Sequence, residues 1–303
     1  MRLGALQFDV ARGEVAKNLR AVERGVEQAR DLGLEVVCLP EMWPTSFAAG
    51  GGPFADERQL EDLLIETQAA LRLIAGLSES AGIVLVGSAA ERDGRKGLPR
   101  NRLHVFAAGE RVYSYDKLHL FTPTAEQLAF KAGSALPEQL DLGPWTSDDP
   151  APQAMGVVCY DLRFGPLMDQ VRLAAPELLW VPAQWPAARD AHWRALIQGR
   201  AAELQAFVIG ANRCGEETLG AKKRPLRFAG NSLIAGPDGA LVAEGQGEEG
   251  LVWAEVDFAA VRQLRKDVPV SRDRREALYR RWYAGLDMEA AASDPTVAGD
   301  GAT

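Results

Sequence analysis

The alternation of short apolar runs with helical segments in the first 90 residues constrains the fold of this chain most. Apolar runs at 3–10, 34–39 and 83–86 have the length and composition of buried strands. Between them, residues 14–32 carry apolar side chains at spacings of three and four, and residues 58–80 form a second helical stretch. The order strand, helix, strand, helix, strand favours an α/β layered fold.

Hairpins and further strand–helix pairs follow along the chain. Residues 103–107 and 111–115 are two predicted strands joined by a turn, and a second hairpin centres on the turn 236–239. The other predicted strands cover 154–159, 178–182, 207–211 and 251–256, and the other predicted helices cover 166–174, 191–205 and 258–265. This mixture predicts two sheets packed together, with helices outside.

The domain organisation follows from the lack of any internal repeat or break in composition before about residue 267. We therefore expect one domain over residues 1–267. The segment 268–303 is charged and then small and polar. It predicts a tail that is partly extended or disordered, or docked on a partner.

Composition excludes several functional classes. Of the 303 residues, 47% are apolar and 25% charged, as in ordinary globular proteins. The net charge of −8 argues against a nucleic-acid binder, and no stretch approaches the ~20 apolar residues of a membrane helix. The first residues predict a strand and not a secretion signal. Three cysteines, an odd and sparse set, then favour reduced thiols in the cytoplasm.

Cofactor motifs are missing from the sequence. It contains no glycine-rich phosphate loop and no G-x-S-x-G elbow. Three cysteines cannot form a four-thiolate zinc site, and the histidines His104, His119 and His192 lie far apart. We therefore expect neither a metal nor an organic cofactor.

Cys159 is the sharpest local signal for chemistry. It ends a predicted strand and precedes the turn YDLRFG. Such a turn presents a nucleophile and offers free backbone N–H groups to an oxyanion. The alternative is a small buried hydrophobic residue, the commoner fate of a lone cysteine. Cys38 lies inside an apolar run and is expected to be buried, and Cys214 in its predicted turn is interpreted as an incidental thiol.

Two charged residues and a histidine could assist a cysteine nucleophile. Glu41 follows a buried strand beside apolar residues, where its pKa could rise towards that of a general base; the alternative is a solvated loop acid. Lys117 has aromatic and aliphatic neighbours, and its cation could lower a thiol pKa and stabilise an oxyanion; the alternative is a surface lysine. His119 could be a base for Cys159, but two flanking leucines favour a packed, structural histidine.

Three motifs in order resemble a known superfamily. Glu41 in LPEMW, Lys117 in YDKLHLF and Cys159 in GVVCYDLRF resemble the Glu-Lys-Cys triad of the nitrilase (carbon–nitrogen hydrolase) superfamily, over about residues 1–265. The resemblance implies a four-layer α-β-β-α sandwich. It also implies a homodimer or larger homo-oligomer, in which the C-terminal tail often takes part.

Details within the motifs resemble one subgroup. True nitrilases typically have Cys-Trp-Glu, whereas this chain has Cys159-Tyr160-Asp161, an amidase-like variant. Glu126, nine residues after Lys117, and the segment WPAARDAHW resemble bacterial omega-amidases, which hydrolyse the terminal amide of 2-oxo acids such as 2-oxoglutaramate and 2-oxosuccinamate. Deaminated-glutathione amidases share the CYDxRF string but usually have a longer segment before the second glutamate. They rank second.

The resemblance also implies roles for the triad and its neighbours. Cys159 would be the nucleophile and Glu41 the base. Lys117 and the backbone N–H of Tyr160 would hold the oxyanion, and Glu126 would orient Lys117 or the substrate amide. Water would complete the hydrolysis of a small-molecule amide, with no cofactor, nucleic acid or membrane involved.

Substrate contacts and competing activities remain open from the sequence. Arg189, within the omega-amidase-like segment, is the candidate for binding the substrate carboxylate, although it could be a surface arginine. Phe47 and Trp185 are candidate pocket walls, with core packing the alternative for Trp185. A nitrilase and an N-carbamoyl amino-acid hydrolase are alternatives on the same fold. An inactive binding scaffold is disfavoured because all three triad positions are occupied.

Overall fold

Two six-stranded sheets form the centre of the computed structural model, which describes residues 1–51, 56–219 and 224–293. The strands are β1 Arg2–Gln7, β2 Val36–Cys38, β3 Val84–Glu91, β4 Arg100–Ala107, β5 Glu110–Asp116, β6 Leu140–Asp141, β7 Gln153–Gly156, β8 Leu178–Ala183, β9 Phe207–Asn212, β10 Cys214–Leu219, β11 Arg224–Ala229, β12 Leu233–Ala235, β13 Leu241–Glu244 and β14 Gly250–Glu255. The helices are α1 Val15–Asp31, α2 Glu57–Ala81, α3 Glu126–Ala129, α4 Gly165–Ala174, α5 Asp190–Leu204, α6 Ala259–Asp267, α7 Val270–Asp273 and α8 Glu276–Ser293.

Each sheet has a parallel centre and antiparallel edges. The first sheet has the order β14-β1-β2-β3-β4-β5, with β1, β2 and β3 parallel. The second has the order β13-β12-β9-β8-β7-β6, with β7, β8 and β9 parallel. Because parallel strands end at one edge of a sheet, the residues that follow β2 in one sheet and β7 and β8 in the other can be gathered in one place.

Helices cover the outer faces of both sheets and complete four layers. Helix α1 buries Val15, Val22 and Val26 in an apolar cluster shared with α2 and the first sheet. Asp56 caps α2 by accepting hydrogen bonds from two backbone N–H groups, and Gly82 ends the helix at a φ of +67° that suits glycine. Helices α4 and α5 contribute to the larger core cluster, which also fills the space between the sheets. The predicted four-layer α/β sandwich is confirmed.

The structure differs from the sequence interpretation in two local places. Cys214 begins strand β10 instead of lying in a turn, because β10 pairs antiparallel with β11 in a separate two-stranded sheet. The segment CGEETL is mostly polar, and RPLRFA contains a proline, which disfavours the interpretation as a strand. The segment 122–129, for which no helix was predicted, contains a 3₁₀ turn and the short helix α3.

The C-terminal segment is helical where an extended or disordered tail was expected. The chain divides into two compact units, Met1–Leu264 and Arg265–Thr303. The second unit contains α7 and α8. Helix α8 is rich in Ala, Leu, Glu and Arg, which favour helix, and it contains no proline. Residues 294–303 lie outside the described residues, and docking of the tail on a second copy stays a prediction. No helix in the described residues is long and apolar enough to span a membrane.

The two sheets pack closely around Leu103, so truncating this side chain is predicted to destabilise the folded protein strongly. This side chain is fully buried, and a Cβ atom at Gly156 would lie 2.7 Å from its Cδ1 atom. We expect Leu103→Ala to lower the free energy of unfolding by about 2–5 kcal/mol through lost burial and the cavity left behind. Chemical denaturation would measure it. The matched control is Leu73→Ala on α2, where the leucine is 53% exposed. Equal losses for the two variants would contradict this account of the core.

Candidate active site

The ends of three strands bring the predicted triad together. Glu41 is the third residue after β2, Lys117 directly follows β5 and Cys159 is the third residue after β7. Their side chains are 1%, 1% and 7% exposed. All three line one cavity of about 670 Å³. The two sheets therefore place an acid, an ammonium and a thiol from distant parts of the chain at one point.

A buried ion-pair cluster forms the charged part of the site. Lys117 Nζ donates to Glu41 Oε1 at 2.8 Å and to the two Glu126 carboxylate oxygens at 3.0 and 2.8 Å. All three side chains are almost fully buried. A charge buried this deeply is stable only with close partners, and removing one partner leaves the other uncompensated. Glu126 thus belongs to the charged cluster, beside the site where the family resemblance placed it.

Two amide residues orient the Glu41 carboxylate. Asn101 Nδ2 donates to Glu41 Oε1 at 2.8 Å and to Glu126 Oε1 at 3.2 Å. The backbone N–H of Gln184 donates to Glu41 Oε2 at 3.0 Å, and its side-chain Nε2 donates to the Glu41 backbone oxygen at 2.8 Å. Both carboxylate oxygens of Glu41 therefore have fixed directions.

The sequence analysis missed both amides, although each has a detectable signal. Asn101 lies two residues before Leu103 and four before Val105, so in a strand its amide is on the same inward face as these apolar side chains. Gln184 directly follows the fully buried strand β8, in the same kind of position as Glu41 after β2. In both cases, a polar residue occupies a position where the surrounding pattern is apolar.

Cys159 is presented by a sharp turn. It begins the 3₁₀ turn Cys159–Arg163 with a φ of +46°, an uncommon left-handed conformation for a residue with a side chain. The Glu41 carboxylate and the backbone N–H of Gln184 both lie near enough to the thiol to influence its pKa, the first raising it and the second lowering it. Tyr160 is the second residue of the turn and lines the cavity. Backbone N–H groups in the first turn of a helix have no acceptor within that helix.

The pKa values in the cluster define its charge state. Burial raises the pKa of Glu41, although the Lys117 cation opposes the shift. Burial also raises the pKa of the Cys159 thiol well above its usual value, and the Glu41 carboxylate adds to this rise. Burial acts to lower the pKa of Lys117, but Glu126 and Glu41 reverse this and raise it overall, so Lys117 stays a cation.

The expected effect of Lys117 on the thiol needs correction. From the sequence, the Lys117 cation could lower the pKa of the Cys159 thiol. Lys117 does act in that direction, but burial and the Glu41 carboxylate outweigh it. The favoured resting state is a neutral thiol beside a carboxylate whose own pKa is raised. That arrangement suits proton transfer during attack rather than a preformed thiolate.

The other predicted site residues lie around the same cavity. Phe47, Trp185 and Arg189 all line it. Both interpretations of Trp185 apply, since it lines the cavity and also packs against Trp193 with ring centroids 5.4 Å apart. The Trp185 indole N–H donates to the backbone oxygen of Arg189 at 2.9 Å, which fixes the segment between them.

Arg163 is a further cavity residue that the sequence analysis did not select. Its guanidinium lies over the Trp185 ring, 4.7 Å from the centroid, and Arg189 lies over Phe121 at 5.6 Å. Across the described residues, neither arginine forms an ion pair with a carboxylate, whereas Arg12 on the same cavity pairs with Glu217 at 2.7 Å. The cavity therefore contains two cations without an acidic partner.

The remaining thiols and the candidate histidine have structural surroundings. Cys38 is fully buried in β2, and burial raises the pKa of Cys214 to about 11. His119 Nδ1 lies 2.8 Å from Asp161 Oδ1, and its ring stacks on Phe164 at a centroid distance of 3.6 Å. The His119 ring is thus held by Asp161 and Phe164, while the acid that acts on the Cys159 thiol is Glu41, so His119 is the packed histidine of the alternative interpretation. Within the part of the chain that the structure describes, no group of three or more His, Cys, Asp and Glu side chains could hold a metal ion.

Comparison with known proteins agrees with this geometry. The sequence profile of the carbon-nitrogen hydrolase family matches residues 2–266. The chain belongs to the carbon-nitrogen hydrolase family. A 2-oxoglutaramate amidase from Bacillus subtilis (strain 168) is 30% identical over 280 residues, covering 91% of this chain and 98% of that protein. An omega-amidase from Escherichia coli (strain K12) is 32% identical over 271 residues, covering 88% and 92%.

A solved structure extends the comparison to an active-site cysteine. A mutant of the amidase from Nesterenkonia sp. AN1, with the acetamide moiety of fluoroacetamide added covalently at the active-site cysteine, matches with a TM-score of 0.74 and 25% identity. The match covers 93% of this chain and 96% of that one. The predicted family resemblance is confirmed, and this carbon-nitrogen hydrolase is a hydrolase that acts on amides.

The electrostatics of the site predict that Glu41→Gln lowers the pKa of the Cys159 thiol. The substitution keeps the burial but removes the carboxylate that raises the thiol pKa, while Lys117 remains. The thiolate would be titrated by its ultraviolet absorbance in the wild type and in Glu41→Gln. The titration curve of the same protein with Cys159→Ala added would be subtracted from each, so that only the absorbance of Cys159 remains. Glu255→Gln, at an exposed ion pair, is the control and should leave this pKa unchanged. An unchanged or higher pKa in Glu41→Gln would refute the assigned cause.

Proposed function

We propose that this carbon-nitrogen hydrolase is a thiol amidohydrolase that releases ammonia from the terminal amide of a small 2-oxo dicarboxylic acid monoamide, such as 2-oxoglutaramate or 2-oxosuccinamate. The observation that carries the proposal is the buried cluster of Glu41, Lys117 and Cys159 on a cavity that also contains two unpaired arginines. The names of the relatives from Bacillus subtilis and Escherichia coli support the same substrate class.

In acylation, the Cys159 thiol transfers its proton to Glu41 as the sulfur attacks the amide carbonyl carbon, and the carbonyl oxygen becomes an oxyanion. The Lys117 ammonium and the backbone N–H of Tyr160 stabilise this oxyanion. The carbon–nitrogen bond breaks as Glu41 returns its proton to the nitrogen, and ammonia leaves a Cys159 thioester.

Deacylation reverses the proton path with water. Glu41 takes a proton from a water molecule, whose oxygen attacks the thioester carbonyl. The second oxyanion is held by the same two donors. The carbon–sulfur bond breaks, the carboxylic acid is released and Glu41 returns its proton to the sulfur. The raised pKa of Glu41 suits both directions, because a base with a pKa nearer neutrality also serves as an acid.

Lys117 and Glu126 supply fixed electrostatics. A buried group that donates a hydrogen bond to the oxyanion typically lowers the barrier by about 3 kcal/mol, because electrostatic interactions are stronger in a low-dielectric site. Lys117 remains an ammonium because Glu126 and Glu41 hold its pKa above its ordinary value. Glu126, with both oxygens on Lys117 Nζ, acts by orienting the lysine.

The substrate carboxylate is assigned to the two unpaired arginines. A guanidinium binds a carboxylate through two parallel hydrogen bonds, and Arg189 and Arg163 each line the cavity without an acidic partner. Stacking on Phe121 and Trp185 holds their guanidinium planes. Phe47 and Trp185 contribute apolar walls for the carbon chain.

The size of the cavity favours deaminated glutathione as the second candidate substrate. A volume of about 670 Å³ is within the range of about 300–1,000 Å³ that accommodates drug-sized ligands. A short monoamide would leave part of this space to solvent. Two arginines could also serve a substrate that carries more than one carboxylate.

The proposed function predicts ammonia release from 2-oxoglutaramate that depends on Cys159. Cys159→Ala should abolish release while leaving the thermal midpoint close to wild type, because it removes only the nucleophile. Ammonia release and unfolding would be measured for wild type and variant. Cys214→Ala is the matched control, since it removes a thiol that begins strand β10, and it should retain the wild-type rate. Wild-type activity in Cys159→Ala would contradict the nucleophile assignment.

The same assay separates the competing activities. Glutamine, asparagine, deaminated glutathione, an organic nitrile and an N-carbamoyl amino acid are tested beside 2-oxoglutaramate. A preference for deaminated glutathione would select the second candidate. Release of carbon dioxide from the carbamoyl substrate, or turnover of the nitrile, would select those activities. No turnover of any substrate would favour a binding scaffold.

Arg189→Met is predicted to raise KM for 2-oxoglutaramate about 10- to 100-fold, because a hydrogen bond to a charged group contributes about 1.5–3 kcal/mol. Arg163→Met should act in the same direction. Steady-state kinetics with 2-oxoglutaramate and with an uncharged amide of similar length would separate carboxylate binding from other damage. Arg12→Met is the control, because Arg12 lines the cavity but is paired with Glu217. An equal rise in KM for the uncharged amide would contradict the assignment.

A further inference from the structure

Three polar side chains within the triad motifs take no part in the proposed chemistry. Tyr115 and His119 lie two residues before and after Lys117, and Asp161 lies two residues after Cys159. The structure brings all three together. They join the two motifs at a point outside the reacting atoms.

The Asp161 carboxylate is the centre of this junction. Asp161 is fully buried, and its Oδ2 accepts hydrogen bonds from the Tyr115 hydroxyl at 2.9 Å and from the Val158 backbone N–H at 3.2 Å. Its Oδ1 accepts the His119 backbone N–H at 2.9 Å and lies 2.8 Å from His119 Nδ1. One carboxylate thus contacts the residue before Cys159 and residues on both sides of Lys117.

The donors around Asp161 are well suited to a permanent connection. Burial, and then the negative charge of Asp161, raise the pKa of Tyr115, so its hydroxyl remains a donor. The His119 ring also stacks on Phe164, the residue that follows the turn, with only 7° between the two planes. The segment that carries Lys117 is therefore attached to the Cys159 turn at Asp161, within the turn, and at Phe164, directly after it.

The conformation of Cys159 explains why such a connection matters. Its φ of +46° is unfavourable for a residue with a side chain and persists only where the surroundings restrain it. The backbone N–H of Val158 and the side chain of Asp161 flank Cys159 and bond to each other. The turn is thereby closed over the strained residue and anchored to the strand end of Lys117.

We propose that Asp161 is a positioning residue that fastens the Cys159 turn to the strand end of Lys117 and so sets the distance between the nucleophile and the oxyanion cation. The inference rests on the proposed roles of Cys159 and Lys117. It predicts that weakening the junction slows the chemical step more than it weakens substrate binding, because small misplacements of reacting groups are costly.

Tyr115→Phe and Asp161→Asn test the junction at two strengths. Tyr115→Phe removes one buried hydroxyl and keeps the ring, whereas Asp161→Asn removes the charge from the centre. The matched control is Thr67→Val, which removes a buried hydroxyl that donates to the Leu63 backbone oxygen within α2. Each variant is measured for its thermal midpoint, for kcat and KM, and for the rate at which iodoacetamide alkylates Cys159, with the site identified by peptide mass spectrometry.

The proposal expects Asp161→Asn to lower kcat and the alkylation rate about 100-fold, and Tyr115→Phe about tenfold, with KM nearly unchanged. Thr67→Val should lose stability like Tyr115→Phe but keep the wild-type rates. Wild-type rates in Tyr115→Phe, or losses equal to those in Thr67→Val, would overturn the proposal. If Asp161→Asn does not fold, Tyr115→Phe decides.

The alkylation rate separates this inference from the proposed function. If wild type releases no ammonia from any amide, the proposed function fails. The alkylation rates of the variants still decide whether Asp161 positions Cys159. If ammonia is released but both variants alkylate as fast as wild type, the positioning role alone fails.

Discussion

The site depends on one buried ammonium between two carboxylates. Lys117 is 1% exposed and contacts both Glu41 and Glu126 at 2.8 Å. Burying a single charge at this depth would be very costly, so all three residues must be placed together. Burial, and then the Glu41 carboxylate, raise the pKa of the Cys159 thiol and keep it neutral. In the proposed mechanism, the same carboxylate is the base that accepts the thiol proton.

The surrounding fold serves to hold this cluster. Parallel strands β2, β7 and β8 end at adjacent edges of two packed sheets, and each end delivers one polar group into an apolar interior. Asn101 and Gln184 then fix the directions of the Glu41 oxygens. The cavity opens beside the cluster and carries its own unpaired cations. In the proposed function, catalysis and recognition of the substrate carboxylate therefore depend on different charged residues.

The sequence allowed most of the fold to be predicted because hydrophobic periodicity is a local property. The opening strand–helix alternation and both hairpins needed only the spacing of apolar side chains. Strands β10 and β11 were missed because the first is mostly polar and the second contains a proline, and only their pairing shows them to be strands. Helix α8 was missed because the charged and small residues of the tail were interpreted as disorder, although its Ala, Glu and Arg residues have high helix propensity.

By itself, the sequence determined the family motifs, the four-layer architecture and the identities of the acid, lysine and cysteine. Only the tertiary structure decided the sign of the thiol pKa shift, since burial and the Glu41 carboxylate outweigh the cation that the sequence analysis had emphasised. It also decided that Arg163 lines the cavity and that Asp161 connects two distant motifs. Solvent exclusion and contacts between remote segments arise only when the sheets pack, so no local pattern encodes them.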